Sequence, residues 1–195
     1  GANTSNINGK IEGGKDVYIV NPNGVIFGKG AEVNVGHLHV STQELAATDA
    51  AVTAFSNSGA SPLSSTAALK SDVVNMGTIN ATSVEVVGKS IRFLNAADVH
   101  SSSVVMYTDT ANDGTAHIGY KTTTPTSGYT VNGSAATAAN NYYRLVSNAA
   151  EMSNINTTNL AGNYMLEDDI DMTGITAPIG GNAYAAFTGK FDGNF

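Results

Sequence analysis

The side chains that could do chemistry in this sequence are few, and the most regular set is a row of carboxylates near the C-terminus. Glu167, Asp169 and Asp171 occupy alternate positions, so a strand over 166–172 would place all three on one face. Such a stripe could bind Ca²⁺ or supply the acid and base of a polysaccharide-cleaving enzyme. That chemistry also needs cations beside the sugar, and the chain has only two arginines. We therefore expect a solvated outer face and keep the three carboxylates as weak metal candidates.

The histidines and possible nucleophiles indicate no stronger site. His37 and His39 share a face opposite Leu38 and Val40, so we expect both rings to point outward. Two histidines without a third ligand bind a metal weakly. The sequence has no Cys, no Ser-His-Asp spacing and no nucleophile elbow. It therefore predicts a protein without catalysis, cofactor or metal.

Length and charge narrow the class of protein. The chain has 195 residues, with 9 Lys and Arg against 16 Asp and Glu, which gives a net charge of −7. A nucleic-acid-binding protein needs a positive surface for phosphates, so this balance excludes nucleic acid as a partner. The hydrophobic content of 42% can build a core, and no run approaches the roughly 20 apolar residues that span a bilayer.

The hydrophobic pattern has period two and predicts an all-β fold. Within 33–40 the apolar phase changes at Gly36, which predicts a corner that turns both apolar pairs inward. A single short helix is expected over 149–156, because Asn148 and Glu151 have the spacing of a capping box. The predicted strands are 16–20, 33–35, 37–40, 84–87, 91–94, 104–107 and 142–146.

An internal repeat indicates how these strands are arranged. The pattern of residues 33–38 returns at 74–79 and, in degenerate form, at 94–99. A unit of about 20 residues with short strands and Asn/Gly corners is typical of one coil of a parallel β-helix. We expect Val74 to lie over Leu94 and Ile79 over Val99 in adjacent coils. An antiparallel sandwich is the alternative, and it would show more hairpin signals.

Two segments interrupt the pattern. Residues 43–72 are rich in Ala, Ser and Thr and predict an excursion that leaves the coil and returns. Residues 109–141 have similar turn-forming composition and predict an exposed linker or decoration. Exposed segments on a rigid stack commonly carry binding function, so both are candidates to contact partners.

One run, residues 14–36, carries a specific set of motifs: Asn21-Pro22-Asn23-Gly24, then FGKGA at 27–31 and VNVG at 33–36. These motifs resemble the filamentous-haemagglutinin-type domain of two-partner secretion exoproteins. The resemblance covers about residues 5–108, and we expect the coils of this domain over residues 1–108. It implies a right-handed parallel β-helix, export through an outer-membrane partner transporter, and adhesion. The capping strands that begin the family's domain do not precede these motifs, so we expect the N-terminal cap to be missing.

The Asn21-Pro22-Asn23-Gly24 motif has two compatible interpretations. Pro22 fixes φ at the first central position of a turn, and Gly24 permits a backbone conformation that bulkier residues resist, which predicts a tight corner between strands. The family resemblance implies a secretion-recognition element for the transporter. A corner that nucleates coiling outside the cell would serve both purposes.

A second resemblance begins at residue 142. The run from Tyr143-Arg144-Leu145 to Phe191-Asp192-Gly193-Asn194 resembles the start of the GLUG-type repeats of bacterial surface proteins. It implies a further coiled β segment over 142–195, and we expect this segment to be truncated in mid-motif.

These observations favour a secreted or cell-surface, adhesin-like exoprotein without enzymatic activity. Its expected partners are the transporter and a host or bacterial surface protein or glycan, and open strand edges would allow binding of other copies. A β-helical carbohydrate-processing enzyme and a structural filament subunit remain as alternatives.

Overall fold

The computed structural model describes residues 2–44, 53, 69–94, 98–108, 117–121, 128–135, 143–181 and 185–193. Within these residues it is mainly β-structure, and the helix α1 spans Ala149–Thr158. The strands are β1 Ser5–Ile7, β2 Lys10–Val20, β3 Val25–Phe27, β4 Glu32–Ser41, β5 Val73–Asn75, β6 Thr78–Val87, β7 Ile91–Phe93, β8 Asp98–His100, β9 Ser103–Tyr107, β10 Ile118–Tyr120, β11 Tyr129–Val131, β12 Ser134–Ala135, β13 Tyr143–Val146, β14 Tyr164–Leu166 and β15 Phe191–Asp192.

The strands form two sheets between which the chain alternates. The first sheet has the order β1-β3-β5-β7-β10-β13-β14-β15, and the second has the order β12-β11-β9-β6-β4-β2 with β8 also paired to β6. Neighbouring strands are parallel, apart from the β11–β12 hairpin. One strand of the first sheet and the strand that follows it in the second make one coil, so β1–β2 to β10–β11 are five stacked coils. This is the arrangement of a parallel β-helix.

The interior of the stack is filled from both sheets. The predicted corner at Gly36 is confirmed, because Val33, Val35, Leu38 and Val40 are all buried within the continuous strand β4. A Cβ atom at Gly36 would lie only 2.8 Å from the carbonyl oxygen of Gly14 in the preceding coil. The corner therefore needs glycine for close approach of two backbones.

The repeat predicted the register only in part. Ile79 pairs with Val99, as expected, but Val74 pairs with Arg92 and not with Leu94. The connection from β5 to β6 is two residues long, whereas four residues, 94–97, separate β7 from β8, so the sequence repeat loses register across that corner. In the preceding pair of coils, Val33 pairs with Ile79.

The prediction that 109–141 is exposed decoration is wrong for the parts that the structure describes. β10 pairs with β7 and β11 pairs with β9, so these strands form the fifth coil. Ile118 is fully buried and Tyr120 stacks on Phe93 at 4.7 Å between ring centroids. Their short strands are flanked by turn-forming residues, which hid them in the sequence. Residues 109–116, 122–127 and 136–141 lie outside the described part of the chain.

The second sheet ends at a hairpin that the sequence analysis missed. Asn132 and Gly133 form a two-residue turn with φ of 48° and 81°, which turns β12 back antiparallel to β11. Positive φ at both central positions is the geometry for which Asn-Gly is favoured in tight hairpins. The Asn132-Gly133 pair was therefore the feature of the sequence from which this hairpin could have been predicted.

Residues 143–193 extend the first sheet alone. β13, β14 and β15 add to its edge, while α1 and the following loops cover one face through Val146, Ile155 and Tyr164. The helix begins as predicted, with the Asn148 side chain accepting a hydrogen bond from the Glu151 N–H at 3.0 Å. The Glu151 carboxylate reaches one residue further back than a standard capping box, to the N–H of Ser147 at 2.9 Å. Among the described helical residues, no helix has the length and apolarity to cross a membrane.

Candidate functional site

The Asn21–Gly24 turn connects the end of β2 to the start of β3. The Gly24 N–H donates to the Asn21 carbonyl at 3.0 Å, which closes the turn. The Asn23 N–H donates to the Asn21 side-chain oxygen, also at 3.0 Å, so an Asx turn lies inside the first turn. Pro22 occupies the position where its fixed φ is preferred. The predicted tight corner is therefore present, and residues of the motif itself make both of these hydrogen bonds.

Asn21 also binds the coils on both sides of the turn. Its side-chain amide donates to the Asn3 carbonyl and to the Ser5 hydroxyl, each at 2.9 Å, in the first coil. Its backbone N–H donates to the Ser41 carbonyl at 3.0 Å, at the end of β4. Asn21 therefore couples a local turn to the stacking of coils, which a residue without a side-chain amide could not do.

Gly24 lies in a continuous backbone ladder along this corner. Its φ is +105°, a left-handed conformation that residues with a Cβ atom avoid. Its carbonyl accepts from the Ser5 N–H at 3.0 Å, and the next residue, Val25, donates to the Asp72 carbonyl at 3.2 Å. The ladder continues through Val73 to Ser90 and Ile91 to His117. Gly24 therefore lies at a corner where consecutive coils are joined by backbone hydrogen bonds.

The same corner is where the 43–72 excursion leaves and returns. Most of that excursion, 45–52 and 54–68, lies outside the described residues. Its base is well packed: Thr42 is fully buried and donates through its hydroxyl to the Ser71 carbonyl at 2.9 Å. Gln43 is also buried, and Lys70 forms an ion pair with Glu44. The turn and the base of the excursion are therefore adjacent along one edge of the stack.

The three predicted carboxylates do not share a strand face. β14 ends at Leu166, so the alternation that would align Glu167, Asp169 and Asp171 never forms. Asp171 instead accepts hydrogen bonds from its neighbour Thr173, whose hydroxyl and N–H hold the pKa of Asp171 below its ordinary value. Across the residues that the structure describes, no three His, Asp or Glu side chains converge into a metal-binding group.

Glu167 turns toward a cluster that the sequence analysis missed. Its carboxylate lies 3.0 Å from Lys121 Nζ, within ion-pair distance but not in hydrogen-bond geometry. Lys121 Nζ also donates to the Glu151 carboxylate at 2.6 Å and to the Ser147 hydroxyl at 2.5 Å. Lys121, Ser147 and Glu167 each follow a strand of the first sheet, so they stack at one corner. The signal was hidden because Lys121 lay in the presumed decoration.

His37 and His39 point outward from β4 as predicted. The Nδ1 atom of His37 lies 2.6 Å from the Ser83 hydroxyl, and that of His39 lies 2.7 Å from the Glu85 carboxylate. The His39 ring stacks on Tyr18 with centroids 4.3 Å apart. These contacts join adjacent coils across the outer face of the second sheet.

Comparison with known proteins identifies the family. A family model described as the TPS secretion domain, where TPS denotes two-partner secretion, matches residues 1–182, so the chain belongs to that family. Two heme/hemopexin-binding proteins of Haemophilus influenzae, one from strain ATCC 51907 / DSM 11121 / KW20 / Rd, are each 49% identical over 45 residues. That segment is 23% of this chain and only 5% of each relative. No solved structure matches the chain significantly.

Family membership fixes the coarse role. Proteins with this domain are secreted to the cell surface or the extracellular space with an outer-membrane transporter as partner. The chain is therefore that of a two-partner-secreted exoprotein. The family match also extends well beyond the 5–108 range that the sequence motifs covered, and includes α1 and β14.

Proposed function

We propose that this chain directs export of an adhesin-like exoprotein through its outer-membrane transporter, and that Asn21, Pro22, Asn23 and Gly24 are the secretion and folding motif. The observation that carries this proposal is the position of the turn. Asn21 and Gly24 hydrogen-bond to residues of the first coil. Asn21 also bonds to Ser41 at the end of β4, and Val25 bonds to Asp72 just before β5. A turn with contacts on both sides stabilises the stacking of successive coils.

The physical link between this turn and export is folding. Each coil of a stack is stabilised mainly by its neighbours, so the first stable pair of coils is the costly step and later coils add to it. A turn that forms locally and also holds neighbouring coils lowers that cost. Coiling outside the cell would oppose backward movement of the chain through the transporter.

Secretion of two variants tests the motif. Gly24→Val and Asn21→Ala, co-expressed with the partner transporter, are expected to lower the extracellular amount of protein several-fold. Gly9→Ala is the matched control, because a Cβ atom at Gly9 meets no atom within 4 Å. Wild-type secretion of both motif variants would show that the motif is an ordinary turn.

We further propose that the exoprotein attaches to a host or bacterial surface protein or glycan and has no catalytic activity. The 43–72 excursion supports this, because its two ends are joined at one edge of the stack by the Glu44–Lys70 ion pair and the Thr42–Ser71 hydrogen bond. Replacing residues 46–68 by a short Gly/Ser linker is expected to keep the fold and lower adhesion of the secreted protein. Full adhesion by the variant with the linker would show that the binding surface lies outside residues 46–68.

The alternative of a carbohydrate-processing enzyme has less support. Such an enzyme would need carboxylates from adjacent coils in one groove, and Glu167, Asp169 and Asp171 do not form one. Hydrolysis of a panel of acidic and neutral polysaccharides by the purified protein would contradict the adhesin proposal.

We also propose right-handed winding of the coils, because crossovers between parallel strands of one sheet are right-handed in nearly all proteins. The GLUG-like character of 142–195 is also a proposal, and the parallel pairing of β13, β14 and β15 supports it.

Self-association through an open end, as in a filament subunit, is a second candidate. β2 is the longest strand and forms one edge of the second sheet. Its inward residues Ile11, Val17 and Ile19 are only partly buried, whereas Val33, Leu38 and Val40 in the next coil are fully buried. An edge strand with partly buried apolar residues favours association with a further strand. Light scattering across a concentration series tests it, and a monomer at every concentration would contradict it.

A further inference from the structure

The Asn21–Gly24 turn contacts two residues that are distant in sequence, Ser71 and Asp72, with which the chain returns from the excursion. The Asp72 carbonyl accepts the Val25 N–H at 3.2 Å. The same oxygen and the Ser71 Cβ atom lie 3.2 and 3.6 Å from the place of a Cβ atom on Gly24. We call Ser71 and Asp72 the seat of the turn.

The seat is held by three residues from other positions in the stack. The Thr42 hydroxyl and the Lys89 N–H both donate to the Ser71 carbonyl at 2.9 Å. The Arg92 guanidinium donates to the Asp72 carboxylate at 3.1 Å. Thr42 is fully buried, and its hydroxyl joins positions 29 residues apart. The backbone and the side chain of the seat are thus both fixed.

We propose that the export motif is a discontinuous corner in which Thr42 positions the seat and the seat positions the turn. This inference rests on the proposed role of the turn in export. The Asn21–Gly24 hydrogen bond is local, because it joins residues three positions apart. The Val25 N–H obtains its ladder partner only after residues 69–72 have returned from the excursion.

Closing the excursion has an entropic cost that the Thr42 hydroxyl bond helps to offset. The buried Thr42 hydroxyl, bonded to the Ser71 carbonyl, also selects one geometry for the return, because other positions of Ser71 would leave the hydroxyl unpaired. Thr42 is therefore a positioning residue for the turn, although it lies outside the motif and contacts none of its four residues through this bond.

Secretion of a matched pair of variants, co-expressed with the partner transporter, tests the inference. Thr42→Val removes the hydroxyl with almost no change of shape, and Thr42→Ser keeps it. We expect Thr42→Val to lower the extracellular amount several-fold and Thr42→Ser to remain near wild type. Ile155→Val, in the separate cluster beneath α1, serves as the control for a modest general loss of stability. Ile155→Val is expected to be secreted at the wild-type level, even where its Tm falls as much as that of Thr42→Val or more.

A double variant separates positioning from general stability. If Thr42 acts through the turn, Gly24→Ala combined with Thr42→Val is expected to secrete no less than the poorer single variant. Should purified Thr42→Val fail to fold, Asp72→Asn, which weakens only the Arg92 contact, is expected to show a smaller secretion defect and decides the question. A wild-type level for Asp72→Asn in that case overturns the inference.

Failure of this inference can be distinguished from failure of the proposed export role of the Asn21–Gly24 turn. Defective Gly24→Val with normal Thr42→Val overturns the discontinuous corner and leaves a linear motif. Normal Gly24→Val and Asn21→Ala overturn the proposed function. In that case, a defect in Thr42→Val could not act through the turn, so it would overturn this inference as well.

Discussion

The carbonyl oxygen of Asp72 lies 3.2 Å from the position that a Cβ atom on Gly24 would occupy. These two residues belong to successive coils, and 47 residues of sequence, most of them in β4 and the excursion, lie between them. Their contact makes the conformation of a short turn dependent on how the next coil is placed. The same contact limits which residues the turn can accept.

Substitution of Gly24 is expected to destabilise the purified chain because of the positive φ. Gly24→Ala should lower the free energy of unfolding by about 1–2 kcal/mol, the usual cost of a left-handed conformation, and Gly24→Val should lower it further. Urea unfolding followed by circular dichroism measures this. Gly9→Ala, at an open position, is the control. Equal midpoints for Gly24→Val and wild type would show that the turn readily adopts another conformation.

Stability is expected to fall on acidification partly through Glu151. Burial alone would raise the pKa of Glu151, but hydrogen bonds from Lys121 and Ser147, together with the Lys121 charge, hold it below its ordinary value of 4.5. A carboxyl with a lowered pKa stabilises the fold above its unfolded pKa, and this contribution is lost as the pH falls through the folded value. The urea midpoint of Glu151→Gln should therefore change less than that of wild type between pH 6 and 3. Parallel pH profiles would exclude this role.

Removal of the Lys121 charge is expected to be costly. Lys121→Met leaves the partly buried carboxylates of Glu151 and Glu167 without the cation that both contact, and should lower the free energy of unfolding by about 3 kcal/mol. Lys10→Met is the control, because Lys10 pairs with Glu12 and Glu32 at an exposed surface and should show no measurable change. Thermal unfolding of both variants measures the difference. Similar Tm values would indicate that the Lys121 cluster adds nothing to stability.

Deletions in 109–141 are expected to have opposite effects according to their extent. Removing 110–138 with a short bridge takes away β10 and β11, including the buried Ile118 and Val131, and should abolish cooperative unfolding. Removing only 110–116 should be tolerated, because the His117 N–H donates to the Thr108 hydroxyl at 3.1 Å, so the chain on the two sides of the deletion is already close together. Thermal unfolding by circular dichroism compares the two. A cooperative transition near the wild-type Tm in the long deletion would contradict the fifth coil.

The sequence by itself determined the local elements. Period-two alternation located most of the core strands, the phase change at Gly36 located the corner in β4, and the Asn148–Glu151 spacing located the start of α1. The Asn21–Gly24 turn was also predictable. Each of these depends on residues within one turn or strand, so short-range sterics and hydrogen bonding decide them.

Only the tertiary structure decided how the coils align and what each corner contains. Val74 pairs with Arg92 because connections of unequal length shift the register, and no local pattern records that length. Glu167 faces Lys121 because β10 and β14, which are separated by 43 residues of sequence, end at the same corner of the stack. The seat of Gly24 likewise exists only after the excursion has returned. These features depend on contacts between coils, whose free energy is determined by the assembled stack and not by any one segment.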